Sequence, residues 1–253
     1  MFFSLCLKAR DILARVGGAE HAEREIQEIK DALNKEDVSL AQLAHPPFRA
    51  PMIVGALIMI YSQFTGLQAI TFYCPKFLME LGFQSEASAM LGMVIVGVIL
   101  FASTILTIFI IDKIGRKPLL MLSSIGVIIS LLLFAAEFQF RVFPPYVVLI
   151  IALFATTSYA IGIGPCAWLI ISEIFPTRVR GRAASICTLI LWLAEFLCLL
   201  AFPILQEISQ PGTFLMFAAI TVIGLGLLWR RLPETKGRTL EQIEAHWQHQ
   251  KPQ

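Results

Sequence analysis

Six stretches of this chain are each apolar for long enough to cross a bilayer, and no other feature narrows the possible folds so far. A membrane-spanning helix needs about 20 predominantly apolar residues. The six stretches run over 52–79, 88–111, 118–138, 146–171, 183–204 and 213–230. They predict an all-α polytopic membrane protein, with a six-helix transmembrane domain over 51–231. A polar segment, 1–50, precedes it and a polar tail, 232–253, follows. Composition agrees: 57% of the residues are hydrophobic and 15% charged, whereas soluble domains carry about a quarter charged residues.

The charges between the stretches give the orientation. Lys113, Arg116 and Lys117 follow the second stretch, Arg178, Arg180 and Arg182 the fourth, and Arg230, Arg231, Lys236 and Arg238 the sixth. The alternate gaps, near 80–87, 139–145 and 205–212, contribute Arg141 as their one cation. Positive charge marks the cytoplasmic face, so both termini are expected in the cytosol, and an even number of spans requires the same. Within 1–50, Val16, Ile26, Ile29 and Leu33 recur near helical spacing among charges of both signs. That pattern predicts a water-facing amphipathic helix packing on protein rather than on lipid. Ser39 and Gln42 have capping-box spacing for a short second helix, and His45-Pro46-Pro47 ends it. The apolar run at Met1 to Leu7 is too short for a signal-peptide core.

Two of the stretches carry backbone breakers. Gly66 lies midway along the first, beside Gln63, Thr65 and Gln68, and Gly162-Ile163-Gly164-Pro165 interrupts the fourth. In lipid a broken helix survives only where protein or a water-filled cavity surrounds it, and secondary transporters place their binding sites at such breaks. Enzymatic readings find no support. The four histidines sit in the polar ends, at 21, 45, 246 and 249. No nucleophile–base set, phosphate loop or metal-ligand spacing occurs, so neither a metal nor a cofactor is expected. A net charge of +2 offers nothing to a nucleic acid. Cys74, Cys166, Cys187 and Cys198 lie in apolar surroundings, where cysteine acts as a small hydrophobe.

Four segments take the reading further: Asp112-Lys113-Ile114-Gly115-Arg116-Lys117; Gly162-Ile163-Gly164-Pro165-Cys166-Ala167-Trp168; the run from Ser172-Glu173-Ile174-Phe175-Pro176 to Arg180-Gly181; and Leu232-Pro233-Glu234-Thr235-Lys236-Gly237 with its continuation to Ile243. In the first, Gly115 permits a tight turn and Asp112 is placed to cap a helix end. In kind, order and spacing the four resemble the sugar porter family of the major facilitator superfamily, which includes facilitative glucose and trehalose transporters. The resemblance covers nearly the whole chain and corresponds to the carboxy-terminal half of such a carrier. Residues 1–50 correspond to the end of the cytosolic helical linker between its halves.

The resemblance implies site residues. Gln63, Thr65 and Gln68 fall in the segment of the first span that contacts sugar in the family, and Tyr73 matches an outer-gate aromatic. Trp168 matches the tryptophan that packs on bound sugar. Asp112, Arg116, Glu173 and Arg180 match an inner salt-bridge cluster that holds the two halves together when the outer side is open. The chain also departs from the family pattern. Ser62 and Gln68 replace an amide residue and an asparagine, Leu100 and Leu191 stand at positions often amidic, Ala167 replaces a proline, and Ala160 stands where glucose carriers have a glutamate.

The implied function is transport of a sugar, a hexose or a disaccharide such as trehalose, by facilitated diffusion at the plasma membrane. Glu195, within the fifth stretch, is the candidate carboxylate should transport be coupled to protons. The implied partners are sugar, the bilayer and an amino-terminal six-helix half. Three arrangements stay open: a carboxy-terminal piece of a longer carrier, a half-transporter that pairs in trans, and a non-transporting chain that regulates full-length carriers.

Overall fold

The computed structural model describes residues 43, 45–46, 48–80, 85–176, 179–232, 234 and 236–237, with Gly18, Glu23 and Ile26 as isolated positions. The predicted amphipathic helix and the Ser39–Gln42 cap lie outside the described residues. Met1–Gln42 and Leu43–Gln253 form separate compact units, and the second holds the helical bundle. Among the described residues of that unit there is no strand. The helices are α1 (Arg49–Phe64), α2 (Leu67–Phe72), α3 (Cys74–Glu80), α4 (Glu86–Ile114), α5 (Arg116–Phe140), α6 (Pro145–Ile161), α7 (Ile163–Ile174), α8 (Arg180–Ile208) and α9 (Gln210–Arg231).

Among the described residues six helical units are long and apolar enough to span a membrane: α1 with α2, the bulk of α4, α5, α6 with α7, α8 and α9. The last four extend a few residues beyond the apolar runs at both ends, because helices continue into the charged margins; the first ends at Phe72, short of residue 79, and the second begins at Met90 rather than 88. Two of the connections from one span to the next are single residues. Gly115 joins α4 to α5 at a φ of 103°, a conformation that side-chain-bearing residues avoid. Ser209 joins α8 to α9, and its hydroxyl accepts the Gly212 N–H at 3.1 Å, an N-cap for α9. Arg141 ends α5 in the left-handed region, with its amide on the Glu137 carbonyl at 2.7 Å. The Glu137 side chain, 2% exposed, accepts the Phe143 N–H at 2.8 Å and so closes the same turn.

The packing follows a repeat. The first span packs on the fifth and sixth, the fourth packs on the second and third, and the third and sixth pack on each other. Exchanging spans one to three for four to six returns the same set of neighbours, and the two broken spans change places. The first span is the most enclosed, 67% buried over its apolar window, against 22% for α4 and 28% for α8. Leu91, Val94, Val98, Phe101, Ile108 and Phe109 on α4 are exposed. A continuous apolar face of that size is at home only against lipid or another protein surface.

Tyr61 pins the centre. Its hydroxyl donates to Ser124 Oγ at 2.5 Å, and Ser124 donates to the Leu120 carbonyl at 2.7 Å. The ring passes so close to α9 that a Cβ on Gly224 would collide with it. Gly66 is equally constrained, with a φ of 74° and the Phe217 ring 2.6 Å from an added Cβ. Gly66→Ala therefore combines left-handed strain with a clash, each costing about 1–3 kcal/mol. The purified variant is expected to lose several degrees of apparent Tm. Gly97→Ala, where an added Cβ meets nothing within 4 Å, is expected to leave Tm unchanged or raise it. Equal Tm values for the two variants would refute this account of the break.

Candidate functional site

The break in the first span begins where α1 ends at Phe64. Thr65 keeps helical geometry, with its amide on the Tyr61 carbonyl at 3.2 Å. Gly66 then turns left-handed and its carbonyl restarts the ladder, accepting the Ile70 N–H at 3.0 Å. Small polar side chains serve the opened turn. The Ser62 hydroxyl donates to the Met59 carbonyl at 2.8 Å, and the Thr65 hydroxyl donates to the Ser62 carbonyl at 3.0 Å. Gln63 is 4% exposed. Its Nε2 donates weakly to Ser62 Oγ at 3.4 Å, and its Oε1 has no hydrogen-bond partner among the described residues. Gln68, half-buried, lies one turn further along.

The break in the fourth span falls at Gly162, between α6 and α7. From sequence alone this break spreads over Gly162, Gly164 and Pro165. Instead Gly164 and Pro165 form the first turn of α7, where the amide proton that proline lacks has no intrahelical partner anyway. Gly162 is required sterically, since an added Cβ would collide with Ser123 Cβ and lie 2.6 Å from the Leu119 carbonyl. Ser123 fills the gap by accepting the Ile163 N–H at 3.0 Å and donating to the Ser158 carbonyl at 2.6 Å. The Thr107 hydroxyl of α4 shares its proton between the Ser103 carbonyl of its own helix at 2.9 Å and the Ala160 carbonyl at 3.0 Å. Sequence reasoning missed both partners, because a lone serine or threonine in an apolar run announces nothing. Trp168 stands on α7 with its side chain half-exposed, while Ala167 beside it is buried. Leu191 is packed inside at 3% exposure, and Leu100 lies on the exposed side of α4.

Tyr73 lies at the other end of the broken first span, between α2 and α3, and stacks on Phe202 at 5.4 Å. Its hydroxyl reaches the Leu199 carbonyl of α8 at 3.5 Å. That carbonyl is available for a definite reason. Its partner in the helical ladder would be residue 203, which is the proline inside α8 and has no N–H to give.

The charged residues gather at the opposite end of the bundle. Arg116 Nη2 and Nε bind Glu173 Oε1 at 2.9 and 3.2 Å. Arg116 Nη1 lies 3.1 Å from the exposed Asp112 carboxylate. Arg180, expected in the same cluster, donates from Nε to the Phe175 carbonyl at 3.3 Å, and its buried Nη2 has no hydrogen-bond partner among the described residues. Asp112 does not cap a helix. Glu234, from the tail, closes the start of α5 by accepting the Arg116 and Lys117 N–H groups at 3.1 Å each, and the Lys236 N–H at 3.0 Å. A carboxylate there meets both unpaired amides and the positive end of the helix dipole. Lys117 Nζ donates to the Trp229 carbonyl at 2.8 Å while lying over the Trp229 ring, and Lys236 Nζ donates to the Lys113 carbonyl.

A bundle of six membrane helices, with the first and fourth spans broken, defines one half of a major facilitator transporter. The profile of the family described as Sugar (and other) transporter matches residues 5–247, and the chain belongs to that family. It is 33% identical over 242 residues to the arabinose-proton symporter of Bacillus subtilis, covering 95% of this chain and 52% of that protein. It is 32% identical over 249 residues to the D-xylose-proton symporter of Escherichia coli, covering 95% of this chain and 50% of that one. The structure of the proton:xylose symporter XylE bound to 6-bromo-6-deoxy-D-glucose superposes with a TM-score of 0.78 at 31% identity, over 94% of this chain and 51% of that one. The chain thus spans about half the length of the curated relatives it matches.

The Tyr73 contact yields a double-mutant test. Tyr73→Phe is expected to destabilise the purified protein by about 0.5–1.5 kcal/mol, the net worth of one hydrogen bond. In a Pro203→Ala background residue 203 supplies the missing amide, and the same change is expected to cost less than half as much. Equal costs in the two backgrounds would show that Leu199 is not the relevant partner.

Proposed function

We propose that this chain forms the carboxy-terminal half of a carrier that moves a sugar across the membrane by alternating access, without a coupling ion. A first six-helix half, in the same longer chain or in trans, completes the path. The observation that carries the reading is Gln63. Gln63 is 4% exposed, sits at a break in a membrane helix, and keeps an acceptor oxygen with no partner among the described residues. A buried acceptor left unmet costs about 1–3 kcal/mol, and a sugar hydroxyl is the donor that the family relationship supplies. Gln68 and Thr65 border the same break. Trp168 offers an indole face to the apolar side of a sugar ring, as carbohydrate sites commonly do. The substrate is a hexose or a disaccharide such as trehalose.

In this reading Arg116, Glu173 and Asp112 form a latch on the cytosolic face, held in register by Glu234, with Arg180 meeting the other half. Both termini lie in the cytosol and the plasma membrane is the site of action. Proton symport is a second reading, favoured by the relatives' names and by Glu195, which is 8% exposed within α8.

The test expresses the chain with a first half in cells lacking endogenous sugar uptake. Gln63→Leu is expected to lower uptake of labelled sugar about tenfold, as loss of a hydrogen bond worth about 1.4 kcal/mol implies, and Trp168→Ala is expected to abolish it. Uptake unchanged in both variants would remove these residues from the path. Glu173→Gln is expected to shift inside-versus-outside cysteine accessibility while sugar still binds; unshifted accessibility would remove the latch. Alkalinisation of the medium on addition of sugar would select symport over facilitated diffusion.

A further inference from the structure

At the end of the bundle that carries the Arg116–Glu173 pair, the first turn of α5 meets the last turn of α9. Lys117 Nζ lies 5.1 Å from the centre of the Trp229 ring and donates to the Trp229 carbonyl. Both residues stand where their spanning segments end, so the contact fixes one depth for the two. Lys236 Nζ donates to the Lys113 carbonyl beside them. Arg230 and Arg231, exposed on the last turn of α9, complete a patch of five cations. The carboxylate within it, Glu234, is taken up by the backbone amides of Arg116, Lys117 and Lys236. Among the described residues none of the five cations has a carboxylate partner, whereas Arg116 is held by both Asp112 and Glu173. Trp229 is 52% exposed. Gly226 and Val222 follow it on the same face of α9, three and seven residues back. Val222 is exposed, and a Cβ added to Gly226 would meet nothing within 4 Å.

We infer that this patch binds the headgroup of an anionic phospholipid, whose acyl chains lie along α9 beneath Trp229. An indole at a helix end marks the membrane–water interface, and cations at that level draw anionic lipid in proportion to their number. The donors needed for a phosphate are available. The Arg230 and Arg231 guanidiniums have no hydrogen-bond partner among the described residues, and each is a fork that fits phosphate oxygens. The Lys117 ammonium spends one of its three donors on the Trp229 carbonyl. The apolar surface selects lipid over soluble phosphate, because an inorganic anion makes no use of an exposed indole or of the notch at Gly226. The sign of the patch selects an anionic lipid over a zwitterionic one, whose own ammonium group the cations repel. A headgroup seated there touches the end of α9, the start of α5 and the tail at Lys236. The inference needs the spans to lie in a bilayer and does not depend on sugar transport.

The test uses the full chain with Trp168, Trp192 and Trp247 replaced by phenylalanine, which leaves Trp229 as its single tryptophan. The chain is reconstituted into phosphatidylcholine vesicles that contain phosphatidylglycerol with brominated acyl chains, a contact quencher of indole fluorescence. Quenching of Trp229 is compared with that by brominated phosphatidylcholine at the same mole fraction. A several-fold preference for the anionic lipid is expected. Arg230→Gln with Arg231→Gln is expected to bring the ratio close to one. Arg178→Gln with Arg182→Gln, which removes as much charge elsewhere in the chain, is expected to leave it in place. Should the first pair fail to insert, Arg230→Gln alone is expected to lower the preference by about half. Equal quenching by the two lipids in the parent chain would overturn the site. Equal loss from the two pairs of substitutions would overturn it as well, since it would show a diffuse field rather than a local contact. Loss of the preference on adding millimolar inorganic phosphate, at an ionic strength where sodium chloride has no effect, would assign the patch to a soluble anion and reject the lipid.

Discussion

Every structural decision in this chain follows from the cost of an unpaired backbone group in lipid, several kcal/mol where water cannot substitute. A helix that breaks inside a membrane must find new partners for the amides and carbonyls it releases. At Gly162 they are supplied across helix boundaries: Ser123 of α5 meets the Ile163 amide, and Thr107 of α4 meets the Ala160 carbonyl. Both are short side chains, so the helices that carry them must approach closely. That is why Gly162 has no room for a Cβ. At Pro203 the same rule acts in the opposite direction. The proline deprives Leu199 of its partner, and Tyr73 arrives from the first span to replace it. The breaks are therefore fixed points of the packing, not loose ones.

The charged end obeys the same rule at the membrane margin. A one-residue connection at Gly115 leaves the first amides of α5 without partners. Glu234 returns from beyond the last span to accept two of them. The tail thereby joins the end of α9 to the α4–α5 turn, and Lys117 and Lys236 donate to carbonyls on either side. Arg116 has its backbone in this arrangement and its side chain on Glu173. The tail and the Arg116–Glu173 pair thus meet at one residue.

How much of this is legible in the sequence depends on the range of the signal. Six spans are legible because apolar length is a local property, and the lipid constraint leaves few alternatives. The first break is legible at Gly66, where only glycine suits the left-handed turn. The second is blurred, because a Gly-x-Gly-Pro run contains three plausible breakers and only packing against Ser123 selects Gly162. Glu234 stands in a conspicuous motif, yet nothing local ties its carboxylate to α5, which begins 118 residues earlier. Asp112 is near that turn in sequence and looks suited to the cap, but nearness in sequence is the wrong criterion. Tyr61, Ser124 and Gly224 carry no sequence signal. Their meaning is a three-helix contact, and one side chain's polarity in an apolar run does not name its partner.

The repeat sharpens the difference between the two breaks. Spans one and four occupy equivalent places in the pattern of neighbours, so the same architecture twice presents a broken helix to the middle of the bundle. Their chemistry is nonetheless unequal. At the fourth span the amide of Ile163 and the carbonyl of Ala160 are met by side chains from neighbouring spans of this chain. At the first span the local turn is satisfied by Ser62 and Thr65, and one further acceptor, Gln63 Oε1, is left buried and open. The same architecture thus supplies two breaks, and of the two the first keeps a buried acceptor without a partner among the described residues. In the proposed carrier that acceptor, Gln63 Oε1, brings the first span to the substrate, while the tightly packed break at Gly162 fixes the position from which Trp168 projects.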